Sequence, residues 1–376
     1  MDRKRLLRFF SNIPGWHTDR KIVVFESDDW GTIRMPSRST YERLLKAGLD
    51  LNGGDGLRYS LYDSLESKTD LENLFQLLSE FKDINDSTAV FTANSVVANP
   101  DFKKIRENGF QQYFYEPVID TFNKYYGDNS IIKLWREGID RRIFRPQFHG
   151  REHLNVSSWM NSLMAGDEEV MLAFDEFMWS FVPRRSNMRN LQYEAAFQLF
   201  ELADLENHEK IIIEGLNLFE KNYGYRADYF VPPNGLINNK LNLSCHRHGI
   251  KYRSTSKIQY EPVGKGRSKK IIHYLGQKEK NSVYYIIRNC VFEPSLPGKD
   301  WVDSCLNNID SMFRLKKPAI ISTHRVNYIG VHDVLNRDNG LKELRRLLIA
   351  IQRNWTNVEF LTTNELGSLI NNEKTN

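Results

Sequence analysis

Cysteine is scarce: Cys245, Cys290 and Cys305 are the only three in 376 residues. An odd, widely spaced set makes neither a disulfide framework nor a thiolate metal cluster, and predicts reduced, buried thiols. Long apolar runs are missing as well. The best, at 211–213 and 347–351, fall far short of the roughly 18 residues a bilayer crossing needs. Charge of one sign is also lacking. With 52 Lys+Arg against 48 Asp+Glu, the net +4 is too weak and too mixed to track a nucleic-acid backbone. No Pro/Gly/Ser-rich linker and no repeat divides the chain, so one domain is expected over 1–376, with its core over about 20–370. Residues 1–10 carry Arg3, Lys4, Arg5 and Arg8 around paired apolar residues, without the apolar block of a secretory signal. A cytoplasmic protein is therefore expected. That first segment is expected to dock on the body, with weak peripheral membrane contact as the alternative.

Short β-branched or aromatic runs are present at 22–25, 89–92, 143–148, 229–231, 284–287, 319–322 and 358–361. Amphipathic stretches of helical period lie between them at 71–81, 191–205, 301–313 and 340–353. This alternation predicts parallel strands joined by helical crossovers, in a β/α barrel or an open doubly wound sheet. Polar residues at four separate strand ends favour the barrel, whose chemistry gathers at the carboxyl ends of its strands.

The first strand runs into Glu26-Ser-Asp28-Asp29-Trp30. Adjacent carboxylates at a strand end point in different directions, so one can hold a metal while the other takes a proton. A turn or helix-capping pair is the plainer reading of these two acids alone. The third run ends in His149-Gly-Arg-Glu-His153, two imidazoles that would share one face of a helical turn. Together with a carboxylate they make a divalent-metal set that leaves coordination positions open. Tyr229-Phe-Val-Pro-Pro-Asn234-Gly235 is a strand end stiffened by two prolines, either a simple turn or a loop that aims a backbone N–H at an oxyanion. Ala319-Ile-Ile-Ser-Thr-His324 delivers one imidazole, whose ordinary pKa suits a general acid.

Taken in order, Phe25-Glu-Ser-Asp28-Asp29, His149-x-x-x-His153, Phe230-Val-Pro-Pro-Asn234-Gly235 and Ile320-Ile-Ser-Thr-His324 resemble the successive motifs of the metal-dependent polysaccharide deacetylases, over about residues 20–330. The resemblance implies a distorted (β/α) barrel of about seven parallel strands and removal of N- or O-acetyl groups from a sugar or surface-glycan precursor. It also implies Asp28 as base, His324 as acid, and Asp29, His149 and His153 as ligands of a divalent ion, zinc above all. Asn234 would add an oxyanion contact. The chain departs from the family where Val231 replaces the arginine that orients the base and Asn234 replaces a tyrosine. Arg145, Arg151 and Arg325 are the alternatives for the missing guanidinium. Long spacing from Asp29 to His149 implies helical insertions over about 37–140, with another over about 156–222.

Among the tryptophans, Trp30 is expected to stack on the sugar, and Trp135, Trp159 and Trp179 to lie in the core. The basic stretch Gly264–Lys270 reads as a solvated turn, and Asp63, Glu66 and Asp70 as surface or capping acids. Two other classes fit less of the pattern: a metal-free glycoside hydrolase using two carboxylates, and a carbohydrate-binding relative without catalysis.

Overall fold

The computed structural model describes residues 9–51, 56–184 and 191–375. Nine strands among the described residues form one parallel sheet: β1 (Lys21–Trp30), β2 (Phe91–Ser95), β3 (Phe144–Phe148), β4 (Tyr229–Phe230), β5 (Tyr252–Ser254), β6 (Tyr284–Ile286), β7 (Cys290–Val291), β8 (Ala319–His324) and β9 (Val358–Phe360). Their order is β6-β5-β4-β3-β2-β1-β8-β7, with β9 paired to the start of β1. Were this sheet flat, its two edges would stand about 34 Å apart. Yet β6 and β7 are neighbours in sequence, and the four steps from Ile286 to Cys290 reach at most about 14 Å. The sheet must therefore curl into a distorted barrel whose seam is residues 287–289.

The alternation of β1 divides the core. Val23 and Phe25 face outward and share one core with Leu71 and Leu74 of α1 (Lys68–Ser79), Ile309 of α3 (Trp301–Arg314) and Leu347 of α4 (Val334–Asn354), α2 (Asp204–Tyr223) lying between α1 and α3 in the chain. Ile22 and Val24 face the other way, onto Tyr229, Ile286 and Ile320, with Leu366 and Ile370 of α5 (Thr363–Thr375). Each such side chain, fully buried, stabilises the fold by roughly 1.5–3 kcal/mol. Glu26 and Asp28 continue the inward series.

The parallel barrel expected from the sequence is present, with nine strands instead of about seven and with the open seam. The segment 37–140 carries helices but also supplies β2, a central strand. No helix covers 191–203; α2 begins only at Asp204. Asn155 draws that stretch out of helical geometry, since its Nδ2 donates to the carbonyls of Ala195 and Gln198 and its N–H to that of Tyr193. All three cysteines are buried and reduced. Residues 1–8, most of the basic first segment, lie outside the described residues; from Phe9 on, the chain packs against the body through Trp16. No helix among the described residues is long and apolar enough to cross a membrane.

Candidate metal centre and its flanking acid and base

Parallel strands bring their carboxyl ends to one side, and the predicted residues meet there. In the register of β1 and β8, Asp28 stands opposite His324. Between Ser27 and Trp30 the pairing of β1 with β2 slips, and Asp29 adopts a positive φ of 76°. A bulge of this kind bends the strand and re-aims the side chains beyond it. Asp29 thereby leaves the ordinary alternation and turns toward the end of β3. There the chain does not form the helical turn expected for His149–His153. It makes an irregular turn through Gly150 at φ 103°, where a Cβ would lie 3.0 Å from the Glu152 carbonyl oxygen. The Arg151 carbonyl holds this turn by accepting from the N–H groups of Val97 and Ala98. Both imidazoles then converge, with ring centres 5.0 Å apart.

Oδ1 of Asp29 lies 3.4 Å from Nε2 of His149 and 3.2 Å from Nε2 of His153. Bonds of about 2.0–2.1 Å at tetrahedral angles set neighbouring ligand atoms about 3.3 Å apart, so the spacing suits a four-coordinate ion such as zinc. Protonation follows from the partners. Nδ1 of His149 is 2.7 Å from the Val231 carbonyl, which can only accept, so Nδ1 carries a hydrogen and the neutral ring has its lone pair on Nε2. His153 Nε2 lies 3.2 Å from Asp29 Oδ1 and 3.4 Å from Arg34 Nη2, and with the hydrogen on Nδ1 it too turns a lone pair into this space. Burial, reinforced by the Arg34 guanidinium, pushes the His153 pKa down to about 4, leaving it neutral near pH 7. His149 Nε2 is buried without a hydrogen-bond partner. Burial opposes ionisation of Asp29, but Arg34, 3.1 Å from its Oδ2, together with His149 and His153 outweighs burial and holds the carboxyl well below the usual range. With both rings neutral and hydrogens on Nδ1, three electron-rich atoms face one another, an arrangement that a cation among them relieves.

Glu26, Asp28, Asp29, Asp63, Glu66 and Glu293 are all buried here, and the guanidiniums of Arg34, Arg58, Arg288 and Arg325 pair with them. Asp29, His149 and His153 are the cluster of buried His, Cys, Asp and Glu able to hold a metal among the described residues.

Asp28 is clamped from two sides. Arg288 donates from Nη1 to Oδ2 at 2.6 Å and from Nη2 to Oδ1 at 2.7 Å, and Asn94 donates to Oδ1 at 2.7 Å. Burial alone would raise this carboxyl, yet the guanidinium prevails and its pKa falls below the ordinary range. Arg288 also bonds through Nε to Glu26, which accepts from Tyr229 and Thr363 at 2.8 Å each. The guanidinium absent at Val231 is therefore supplied by the barrel seam. None of the three alternatives occupies that place: Arg145 stacks on Tyr225, Arg151 pairs with Glu152 and Glu214, and Arg325 is buried on Asp63 and Glu66. Those last two acids are fully buried, not surface acids as expected, while Asp70 completes a capping box with Ser67 but is buried too.

Across the cleft, His324 Nε2 lies 3.9 Å from Asp28 Oδ2, and its Nδ1 lies 2.6 Å from Glu293 Oε1. Burial disfavours the imidazolium, but Glu293 outweighs burial and raises the His324 pKa above its ordinary value. Glu293 is itself fixed by Arg58 and Asn327. Sequence reasoning overlooked Glu293, Arg288, Asn94 and Arg34; the available signal for the first two was a charged residue at or near the end of a short apolar run.

Asn234 lines the cleft at φ 51°, its Nδ2 donating to Gln192 at 3.3 Å. In this turn Val231 N–H is spent on Phe148, Gly235 N–H on Pro232, and the prolines have none, which leaves the N–H of Asn234 as its donor. Trp30 is a correction. The same bulge that turns Asp29 inward sends Trp30 outward, 1% exposed, with Nε1 on Ser27 and its ring edge-on to Phe144. It belongs to the core and cannot touch a substrate. Trp135, Trp159 and Trp179 are buried as expected. The cleft over the site measures about 830 Å³ and is walled by Tyr59, Gln192, Glu194, Thr255 and Tyr260.

No family model and no curated protein matches the chain. Solved structures similar to it include a Mycobacterium smegmatis chain assigned as a polysaccharide deacetylase, 12% identical, covering 96% of this chain and 94% of that one at a TM-score of 0.45. Another is a Pseudomonas aeruginosa PAO1 chain assigned likewise, 10% identical, covering 93% and 91% at 0.47. A third is the 4-alpha-glucanotransferase of Thermococcus litoralis, 11% identical, covering 92% of this chain and 40% of that one at 0.46. Similarities this distant carry no weight for the chemistry, which rests on the atoms of the site.

Proposed function

We propose that the protein is a metal-dependent hydrolase that removes acetyl groups from an acetylated carbohydrate. The observation that carries this reading is the convergence of three lone-pair donors at tetrahedral spacing beside a clamped carboxylate and a carboxylate-held imidazole. Asp29, His149 and His153 would hold the ion, with zinc the best match to one oxygen and two imidazole nitrogens. The chemistry supplied when it is bound is Lewis acidity toward water and toward an acyl oxygen.

The chain's own groups do the rest. Asp28, kept ionised and fixed by Arg288 and Asn94, takes the proton of the attacking water. His324, kept protonated by Glu293, donates a proton to the departing sugar amine or hydroxyl. The N–H of Asn234 contributes a hydrogen bond to the developing oxyanion. An acid with raised pKa and a base with lowered pKa, about 4 Å apart, are both in working form near neutrality.

The two-carboxylate alternative could use an ionised Asp28 but gives no role to the Asp29, His149 and His153 cluster. Arg288, which clamps Asp28, speaks against the part of the non-catalytic reading that rested on Val231. The test is acetate release from N- and O-acetylated oligosaccharides: it should stop in EDTA and return with zinc. Release of reducing sugar in EDTA would instead support the glycosidase.

A further inference from the structure

Beside the cleft stands an antiparallel ribbon of two strands, Ile258–Gly264 and Arg267–Ile272. A ribbon with one face on the protein ordinarily turns its apolar residues in and its polar residues out. Here the order is reversed. Gln259 and Glu261 point inward, where Gln259 bonds the Ile237 carbonyl and His273, and Glu261 accepts from the Asn239 N–H. The outward face carries Ile258 opposite Ile272 and Tyr260 opposite Lys270. A one-residue change of register would bury these apolar side chains, so their exposure is specified by the fold.

The patch continues past the ribbon. Tyr274 follows it, and Lys257 reaches Ser11 of the amino-terminal segment, which adds Phe10 and Ile13. Those six apolar side chains are 43% (Tyr274) to 71% (Ile272) exposed. On the ribbon itself the exposed charge has one sign: Lys265, Arg267, Lys269 and Lys270 are exposed, whereas Glu261, the ribbon's acid, is buried. The eight residues that precede Phe9 in the sequence carry Arg3, Lys4, Arg5 and Arg8. Apolar and tyrosine side chains rimmed by lysine and arginine match an anionic bilayer surface, where the rings sit among headgroups and the cations meet lipid phosphates.

We infer that this face docks the protein on membranes containing anionic lipid. Ile258 and Tyr260 also line the cleft, so docking sets the mouth of the site at the level of the headgroups. The inference stands on the surface alone and does not require the proposed reaction.

The test is co-sedimentation of the full chain with vesicles of phosphatidylcholine, and with vesicles of phosphatidylcholine and phosphatidylglycerol in equal parts. Binding to the mixed vesicles should be at least about tenfold tighter and should weaken as salt is raised. I258S/Y260S/I272S and K265Q/R267Q/K269Q/K270Q should each lower it by about tenfold or more, whereas K133Q/R136Q on another surface and H149A should bind as the wild type does. Equal binding to both vesicles, no binding, or ribbon variants that bind like the wild type would overturn the inference. So would a stable dimer that the same ribbon substitutions dissociate, or tight binding of a soluble acidic polysaccharide without vesicle binding.

Discussion

Replacing Arg288 by Gln should expose what the seam contributes. The pair it forms with Asp28 is little screened, with side chains 16% and 7% exposed. Two unit charges about 4 Å apart attract by about 4 kcal/mol at an effective dielectric near 20. About 1.4 kcal/mol moves a pKa by one unit, so the Asp28 pKa should climb by about three units in R288Q. Burial, no longer opposed, acts in the same direction. Because the base must be ionised, the acidic limb of the kcat/KM profile should move to higher pH. Near neutrality, loss of the bidentate clamp should lower turnover by about a hundredfold through misorientation. R288K, which keeps the charge but not the fork, should restore the acidic limb and leave the orientation defect. Stability should fall by about 3–5 kcal/mol in R288Q, since Glu26 loses its charge partner as well. Zinc affinity, read by calorimetry, should change little. An R288Q enzyme within twofold of wild-type turnover, with its acidic limb unmoved, would refute the argument.

Three further outcomes follow from the same geometry. E293Q removes the charge that raises the His324 pKa, so the alkaline limb of kcat should shift to lower pH. In the wild type that imidazole is raised on folding; its contribution to stability is complete below about pH 6.5 and fades as pH rises through the folded value, a slope that E293Q should flatten in pH-dependent melts. W30A should cost about 3–5 kcal/mol in chemical denaturation with KM unchanged for the molecules that remain folded; a raised KM at full stability would return Trp30 to the substrate. D28N should keep one equivalent of zinc and lose acetate release, and retention of both would remove Asp28 from the role of base.

Most of the sheet was legible because its longer strands are buried on both faces and read as β-branched runs; all seven predicted runs lie in β1–β4, β6, β8 and β9 or overlap them. The two strands that escaped, Tyr252–Ser254 and Cys290–Val291, are three and two residues long, the first broken by Arg253 and the second leaving only a three-residue apolar run with Phe292. The residues that converge as a candidate metal site were legible because acids and imidazoles that end apolar strands are costly to place without a use. Arg288 was not, because its position follows from barrel closure, which sets residues 260 apart in sequence within hydrogen-bonding reach. Asp63 and Glu66 passed as surface acids for a similar reason: their partner Arg325 lies 262 and 259 residues away. Trp30 was misplaced because it follows the two acids directly in sequence, and no local pattern announces the bulge that turns it outward.

The central claim is that Asp29, His149 and His153 grip a single divalent ion. Elemental analysis of the purified protein and of H149A, both after dialysis against zinc, tests it most directly. One equivalent of zinc per wild-type chain and none in the variant is the predicted result; equal zinc in both, or none in either, would contradict it.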